Sequence, residues 1–265
     1  RGGATFVAQL DAAIRAGQAP AMIAVLVNGM RSSMYTDSAD GKTPMEAVIV
    51  RDLVPHIDAA YRTIADREAR AIEGFSMGGF GAARLGFKYP EVFGLVSILA
   101  GALHTADTLA ERRAEIFRNV YSGKKDYYTT ESPWTLLERH ADRIRGRTLV
   151  RVWVGDQDQL REWNTQYHQL LDKLKIAHEF RVIPGAGHNY RQVQDAAGPR
   201  GFAFYNRSLA GAEVEVIRDV PYCSPGGRTL RLHLVRPKVR TRDPLPVVVW
   251  IHGGAWRSGS RDSGL

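Results

Sequence analysis

The stretch Glu73-Gly74-Phe75-Ser76-Met77-Gly78-Gly79-Phe80-Gly81 decides the fold that this sequence predicts. It contains the pattern Gly-X-Ser-X-Gly, with Ser76 at its centre. Residues 69–73 before it are predicted to form a short strand, and residues 80–89 after it a helix that stops at Pro90. Strand, sharp turn and helix in this order are the context in which such a serine is exposed as a nucleophile. The alternative is that the small residues only close a tight turn.

The glycines and the predicted helix both favour chemistry at Ser76. Side chains at Gly74 and Gly78 would crowd the serine backbone in so sharp a turn. A helix that starts at Met77 presents free N–H groups and the positive end of its dipole beside the serine. Because both stabilise an oxyanion formed there, the backbone N–H of Met77 is the expected first oxyanion donor.

The composition is that of an ordinary globular chain. Its 265 residues are 44% hydrophobic and 24% charged, which suits one large α/β domain or two small ones. No apolar run approaches the ~20 residues of a membrane-spanning helix, so no membrane partner is expected. The first four residues do not have the pattern of a signal peptide. Localisation therefore stays open, including secretion or export to the periplasm as part of a longer parent protein.

The positive charge first suggests nucleic acid as a partner. The net charge is +8 and the isoelectric point about 9.7. However, basic and acidic residues are interspersed, and the densest basic groups are short ones at residues 143–147 and 236–242. A solvated basic surface explains this pattern better, and no nucleic-acid partner is expected.

Metal and cofactor motifs are missing from the sequence. The single cysteine, Cys223, excludes an internal disulfide and a cysteine-based metal cluster. The sequence has no His-Glu-X-X-His, no phosphate-binding Gly-X-X-X-X-Gly-Lys and no dinucleotide-binding Gly-X-Gly-X-X-Gly motif. We therefore expect neither a metal nor a cofactor.

Strand and helix patterns alternate with short connections over residues 1–210. The predicted strands are residues 22–27, 69–73, 95–99, 148–154 and 178–183. The predicted helices are residues 5–17, 44–64, 80–89, 162–174 and 192–209, the last broken near Gly198-Pro199. This alternation predicts an α/β fold with a mostly parallel, doubly wound sheet, in which function collects at the carboxyl ends of the strands.

Two further polar residues at predicted strand ends complete a candidate catalytic set with Ser76. His188 follows a strand in a Gly-Ala-Gly-His turn and can take the serine proton as a base. An acid is needed to orient its ring, and Asp156 and Asp158 compete for this role. The order Ser, Asp, His along the chain is that of the α/β-hydrolases.

Residues 104–147 have a looser pattern of mixed helix and loop. Aromatic residues gather in this insertion, namely Tyr121, Tyr127, Tyr128 and Trp134. Such an insertion can form a lid or a wall of the substrate pocket. Equally, the rings can serve only to pack the insertion onto the core.

The last 55 residues change character. Residues 214–222 and 229–237 are predicted as strands joined by a hairpin turn, and residues 246–251 as a strongly apolar strand. This last strand runs into His252-Gly253-Gly254-Ala255-Trp256. A loop of this type supplies the second oxyanion donor in many hydrolases, from the backbone N–H groups of Gly253, Gly254 or Ala255. A plain glycine turn is the alternative.

Residues 22–205 closely resemble the Putative esterase family, which includes the bacterial feruloyl esterases of carbohydrate esterase family 1. The matching segments are Val27-Asn28-Gly29-Met30 with Tyr35-Thr36-Asp37, residues 73–79, Gly155-Asp156-Gln157-Asp158 and Gly185-Ala186-Gly187-His188-Asn189-Tyr190. The resemblance implies an α/β-hydrolase with nucleophile Ser76, acid Asp158 and base His188. Neighbouring aromatic residues are the candidates for substrate contact: Phe75, Trp134, Tyr190 and Trp256.

Residues 213–265 resemble the opening of a different group, the esterase/lipase family with the motif His-Gly-Gly-Gly-Trp. Here Ala255 replaces the third glycine. In the Putative esterase family, three strands and the oxyanion loop are expected before the helix that opens this chain. Those elements occur here at the other end of the sequence.

This order has two interpretations. The chain is either a fragment of a tandem protein with a tail that does nothing, or a circularly permuted domain whose first strands come from the tail. Burial favours the second, because the apolar run 247–251 should not survive in water. We therefore predict one α/β-hydrolase domain over residues 1–265, built from 1–210 and 213–265. The tail could complete its own chain or be exchanged in a homodimer.

The sequence thus predicts a serine carboxylesterase that acts through an acyl-enzyme. The expected substrate is a feruloyl, aryl or short-chain ester, either a small molecule or linked to a polysaccharide. Two alternatives remain: an acyltransferase that uses the same site, and a catalytically inactive fragment.

Overall fold

The computed structural model describes residues 3–30, 32–205, 214–224, 227, 229–237 and 244–251. These residues form an eight-stranded sheet with helices on both faces. The strands are β1 (Ile23–Val27), β2 (Arg70–Phe75), β3 (Leu95–Leu99), β4 (Leu149–Gly155), β5 (His178–Ile183), β6 (Val214–Cys223), β7 (Leu230–Pro237) and β8 (Val247–Ile251). The α-helices are α1 (Gly3–Arg15), α2 (Met45–Ala47), α3 (Val54–Ala60), α4 (Met77–Lys88), α5 (Ala106–Arg112), α6 (Ala114–Tyr121), α7 (Lys125–Glu131), α8 (Pro133–Ile144), α9 (Arg161–Lys173) and α10 (Tyr190–Ala197). Two 3₁₀ helices span Arg67–Ala69 and Gly198–Tyr205, and a π-helix spans Val48–Leu53.

The sheet is mostly parallel, as the sequence predicts. Its strand order is β5-β4-β3-β2-β8-β1-β7-β6. The first six strands in this order are parallel to their neighbours. Strand β7 is antiparallel to both β1 and β6. Because the six parallel strands run the same way, their carboxyl ends meet at one edge of the sheet, where ligand sites form in such folds.

Strand β8 shows why the central strands are almost continuously apolar. Its alternate side chains point to opposite faces, as the two-residue period of a strand requires. Val247, Val249 and Ile251 pack into one core, while Val248 and Trp250 pack into the other. Because β8 is covered on both faces, each of its five positions holds a buried apolar residue.

The position of β8 matters for the organisation of the chain. Strand β8 lies between β1 and β2 and pairs in parallel with both, so that Val248 is opposite Ala24 on one side and Ala71 on the other. Among the described residues, β1 is joined to the remaining parallel strands only through β8. The three strands of the tail therefore belong to the same sheet as the strands of residues 1–210.

The predicted helix over residues 44–64 is shorter and less regular than expected. Its middle is π-helical, and Pro55, in the first turn of α3, has no N–H to donate to the preceding turn. The backbone becomes extended at Tyr61, which ends the helix at Ala60. Ile64, predicted to lie on its buried face, is 36% exposed.

The insertion is more ordered than its sequence pattern suggests, because it consists of helices α5 to α8. A buried ion cluster fastens it to the helix that follows Ser76. Arg84 of α4 donates to Glu131 at the end of α7 and to Glu46 of α2, and Lys88 bridges the same two carboxylates. Burial alone would raise the pKa of Glu46, but the Arg84 guanidinium and the Tyr89 hydroxyl hold it below its usual value.

Within the part of the chain that the structure describes, no helix combines the length and the apolar composition needed to cross a bilayer.

Candidate active site

Ser76 sits on a strained turn between β2 and α4. Its backbone has φ 61° and ψ −118°, a region that residues other than glycine rarely adopt. The flanking glycines let the chain close on itself. A Cβ atom on Gly74 would lie 2.2 Å from the carbonyl oxygen of Gly78, and one on Gly79 would lie 2.7 Å from the Cα of Gly101. The turn therefore needs glycine at these positions.

Backbone hydrogen bonds from the neighbouring strand hold this strained serine in place. The N–H of Ser76 donates to the carbonyl oxygen of Leu99 at 2.9 Å, and its own carbonyl accepts from the N–H of Ala102, also at 2.9 Å. The residue is only 2% exposed. The side-chain position of Ser76 is thus fixed by the ends of β2 and β3 before any substrate binds.

Ser76, His188 and Asp158 form one chain of hydrogen bonds. The Oγ of Ser76 lies 2.9 Å from Nε2 of His188, and Nδ1 of His188 lies 2.8 Å from Oδ2 of Asp158. The other oxygen of Asp158 accepts from the N–H of Leu160 at 2.8 Å. An ionised carboxylate has no proton to donate, so Nδ1 of His188 must carry the proton and donate it to Asp158. Nε2 is then free to accept a hydrogen bond from the serine hydroxyl.

The structure places Asp158, and not Asp156, against His188. The loops that carry the acid and the histidine approach each other closely because Gly155 lacks a side chain. A Cβ atom at Gly155 would lie 2.0 Å from the carbonyl oxygen of Ala186. The N–H of Gln157 donates to that same oxygen at 3.0 Å. This close approach joins the ends of β4 and β5 and brings Asp158 beside His188.

One of the predicted oxyanion donors is described by the structure. Met77 is the first residue of α4, so its N–H has no acceptor within the helix. Gly253, Gly254 and Ala255, the other predicted donors, lie outside the described residues, as does Trp256. Strand β8 ends at Ile251, which pairs with Gly74, two positions before the serine.

A cavity of about 390 Å³ opens beside Ser76 and His188. Six other residues line it: His104, Arg112, Arg113, Gln159, Leu160 and Trp163. Its volume is in the range of small-molecule sites. A second cavity, of about 80 Å³ and near Met22 and Val247, lies at the opposite ends of the strands and has no catalytic group in its wall.

Two of the predicted substrate contacts pack around the histidine. The ring of Phe75 lies 4.8 Å from the ring of His188, and Tyr190 meets the edge of Phe75 at 5.7 Å. Tyr190 is buried and also packs on Trp250 of β8. These rings support His188, and neither lines the cavity.

Trp134 does not line the cavity either. Its Nε1 donates to the carbonyl oxygen of Leu103 at 3.3 Å, and its ring packs at 4.8 Å against Tyr167. It therefore packs the insertion onto the core, which is the second of the two roles considered for these aromatic residues. Tyr128 has a similar role, since its hydroxyl donates to the carbonyl oxygen of His104 at 2.5 Å.

Six residues of the cavity wall are not among the predicted site residues: His104, Arg112, Arg113, Gln159, Leu160 and Trp163. The available signal for His104 is its place just after Ala100-Gly101-Ala102, the small residues that follow the carboxyl end of β3. The others have no comparable signal, because they lie on helices, or in the connections before helices, whose packing the sequence pattern does not specify.

His104 is held neutral at neutral pH. It is 3% exposed, and its ring meets the edge of Trp163 at a centroid distance of 4.3 Å. Burial, together with the nearby charges of Arg113 and Arg112, lowers the pKa of His104 to about 4. A neutral His104 leaves the two arginines as the positive groups on this side of the cavity.

We expect His104 to make the fold acid-sensitive. Its folded pKa of about 4 is below the usual value of 6.5, so the unfolded chain binds this proton more readily. Neutral His104 therefore adds about 3 kcal/mol to the free energy of unfolding, relative to the value at low pH. This contribution is complete above pH 6.5 and is lost as the pH falls towards 4. The free energy of unfolding of His104→Asn, measured by urea denaturation, should therefore depend less on pH across this interval.

His56→Asn is the matched control, because His56 is a half-buried histidine on α3 outside the cavity. The pH dependence of this variant is the reference with which that of His104→Asn is compared. If the free energy of unfolding changes with pH equally steeply in His104→Asn and in the original chain between pH 6.5 and 4, His104 does not make the fold acid-sensitive.

Comparison with known proteins agrees with the fold. Residues 4–214 match the model of the Putative esterase family. A ferulic acid esterase structure superposes with a TM-score of 0.54 at 24% identity, covering 65% of this chain and 63% of that one. The serine hydrolase FphF of Staphylococcus aureus superposes with a TM-score of 0.56 at 18% identity, covering 66% and 68%.

The relatives that are similar to this chain in sequence are much longer proteins. An endo-1,4-beta-xylanase/feruloyl esterase of Xylanibacter ruminicola is 29% identical over 119 residues, which is 44% of this chain and 16% of the relative. Esterase Rv1288 of Mycobacterium tuberculosis is 35% identical over 83 residues, which is 30% of this chain and 18% of the relative. The chain thus spans less than a fifth of these relatives. On the match over most of its length, and with the sheet described above, the chain belongs to the Putative esterase family and has the α/β-hydrolase fold.

Proposed function

We propose that this chain is a serine carboxylesterase in which Ser76 is the nucleophile, His188 the general base and Asp158 the acid that orients the imidazole. The observation that carries the proposal is the hydrogen-bonded chain from Asp158 through His188 to Ser76, beside the N-terminus of α4 and an open cavity. Family membership makes ester hydrolysis the expected chemistry.

The proposed reaction has two halves. In the first, Nε2 of His188 takes the proton of the Ser76 hydroxyl while the serine oxygen attacks the ester carbonyl carbon. The resulting oxyanion accepts from the N–H of Met77, and collapse expels the alcohol, which takes the proton from His188. In the second half, His188 deprotonates water, which attacks the acyl carbon. The bond from this carbon to Oγ of Ser76 then breaks, the acid is released, and the proton returns from His188 to Ser76.

We propose feruloyl, other aryl or short-chain esters as substrates. Similarity to the xylanase/feruloyl esterase of Xylanibacter ruminicola and to a ferulic acid esterase structure supports a hydroxycinnamoyl ester, either free or linked to a polysaccharide. Trp163 and Leu160 give the cavity an apolar wall against which an aromatic ring can pack.

We also infer that residues 1–210 and 213–265 form one circularly permuted catalytic domain. The place of β8 between β1 and β2 supports this organisation, since the sheet of residues 1–210 is interrupted without it. A homodimer that exchanges the tail would give the same strand order. Activity per chain that stays constant on dilution would favour completion within one chain, whereas loss on dilution would favour exchange.

Labelling with a fluorophosphonate probe tests the catalytic assignment. The folded chain should be labelled stoichiometrically, and Ser76→Ala should not be labelled, because the probe needs an activated serine. Ser224→Ala, at an exposed serine on the far edge of the sheet, should label like the original chain. If folded protein is not labelled, the chain is catalytically inactive and the proposal is wrong.

A substrate panel then tests the specificity. Methyl ferulate, acetylated xylan and p-nitrophenyl butyrate cover the aryl, polysaccharide-linked and short-chain classes. We expect free acid as the product in water. Acyl transfer to an added alcohol in preference to water would instead favour an acyltransferase.

A further inference from the structure

The cavity beside Ser76 has an unusual charge for a site that would accept only neutral esters. Two guanidinium groups, those of Arg112 and Arg113, contribute to its wall, and no carboxylate is among the described lining residues. Asp158 is behind His188 and is already hydrogen-bonded to it. The open side of the cavity is therefore positive.

The two arginines are held at the mouth of the cavity by local structure. Arg112 is the last residue of α5, and Arg113 occupies the break before α6. An Nη1 hydrogen of Arg113 donates to the carbonyl oxygen of Arg112 at 3.0 Å. The guanidinium of Arg112 also lies 5.7 Å from the centre of the Trp163 ring, which is within the range of a cation–π contact.

Neighbouring acidic groups do not neutralise Arg112. Asp107 on the same helix pairs with Lys125 at 2.5 Å. The ion pairs found among the described residues do not include Arg112. The N–H groups of its guanidinium can therefore donate hydrogen bonds to a ligand.

The positive field reaches into the cavity. The charges of Arg113 and Arg112, after burial, are the causes that lower the pKa of His104, whose ring is part of the same wall. A field that disfavours a cation at this position favours an anion there, and the partly closed cavity screens it less than open water would.

We propose that the preferred substrates are esters that carry a free carboxylate a few bonds from the ester group. The Arg112 guanidinium would bind the carboxylate through its planar donors, and Arg113 would add to the positive charge. Trp163 would pack against the aromatic or aliphatic part between the two groups. This inference rests on the proposed function, since it names the substrate class of the same site.

Pairs of esters that differ only in charge provide the test. Carboxymethyl ferulate and its neutral amide, carbamoylmethyl ferulate, place the charge on the alcohol half. The p-nitrophenyl half-ester of adipic acid and its terminal amide place it on the acyl half. We expect kcat/KM to favour the anionic member of at least one pair by about tenfold, the size expected for one charge-assisted hydrogen bond. If only one pair shows the preference, it identifies whether the alcohol half or the acyl half of the ester lies in the cavity.

The preference should depend on Arg112. Arg112→Gln should reduce the ratio of kcat/KM between the anionic and the neutral member of the pair about tenfold, mainly through KM. Arg118→Gln, which removes an exposed arginine of α6 that does not line the cavity, should leave the ratio unchanged. High salt should also reduce the ratio for the original chain.

Failure of this inference can be told apart from failure of the proposed function. A ratio near one in both pairs, with normal hydrolysis of the neutral members, would overturn the carboxylate preference and leave the esterase intact. A preference that survives in Arg112→Gln, with the variant shown to be folded by circular dichroism, would overturn the role of Arg112. Absence of both ester hydrolysis and fluorophosphonate labelling would instead overturn the proposed function.

Discussion

Ser76→Ala should lower kcat by roughly 10⁴- to 10⁶-fold and leave the fold intact. The hydroxyl is the only atom lost, and the glycines and backbone hydrogen bonds that hold the turn do not involve it. His188→Ala should have an effect of similar size, because the serine then loses its base at 2.9 Å. Hydrolysis of p-nitrophenyl butyrate, with circular dichroism and thermal melting as checks of folding, measures both effects.

The acid provides a matched pair of variants two residues apart. Asp158→Asn should cost about 10⁴ in kcat, because an amide can donate to Nδ1 and so favour the wrong tautomer of His188. Asp156→Asn should have little effect, since the structure places Asp158 against the ring. The reverse result would transfer the role of the acid to Asp156. Activity in a folded Ser76→Ala variant close to that of the original chain would overturn the whole assignment.

Truncation of the chain after Ala212 should give an insoluble or inactive protein. The shortened chain lacks β6, β7 and β8, so β1 loses both of its neighbours and the edge of β2 that pairs with β8 becomes exposed. The five buried side chains of β8 each contribute about 1.5–3 kcal/mol, or roughly 10 kcal/mol together. A domain is commonly stable by only about 5–15 kcal/mol, so this loss should unfold it. Solubility, gel filtration and circular dichroism measure the outcome.

A chain truncated after Ile251 separates the two roles proposed for the tail. It keeps β6, β7 and β8 but lacks Gly253, Gly254 and Ala255, the proposed second oxyanion donors. It should therefore be folded but about 10²- to 10³-fold slower in kcat. A soluble, monomeric and fully active chain ending at Ala212 would contradict the single-domain proposal and favour the interpretation of the tail as part of a second hydrolase.

Much of the sheet could be predicted from the sequence because its central strands are covered on both faces. The predicted strand 95–99 coincides with β3, a fully buried run between Gly94 and Ala100. The predicted strand 178–183 coincides with β5, an edge strand that is mostly half-buried and mixes polar with apolar residues. The Gly-X-Ser-X-Gly turn was equally predictable, because Gly74 and Gly78 approach to a distance that excludes any side chain. Ser76, His188 and an acid at Asp156 or Asp158 could be selected because parallel strands bring their carboxyl ends together, and the family resemblance favoured Asp158.

The cavity wall could not be predicted in the same way. Trp134 and Trp163 are both tryptophans on amphipathic helices, and only the packing of those helices decides which ring reaches the cavity. Trp134 is turned towards Tyr167, while Trp163 faces His104. Arg112 owes its place to the break between α5 and α6, which no glycine or proline marks in the sequence. Tertiary contacts, and not local patterns, determine these positions.

The position of β8 between β1 and β2 has a consequence for how the protein is made. Ile23 and Val247 are neighbours in the sheet, yet roughly 220 residues separate them along the chain. A ribosome that adds about 5–20 residues per second takes roughly 10–45 s to make that length. For most of this interval β1 and β2 are already synthesised, and each lacks the strand β8 that lies between them in the finished sheet. We therefore expect the apolar edges of these two strands to be prone to aggregation until β8 is made, and holding chaperones to raise the yield of the protein.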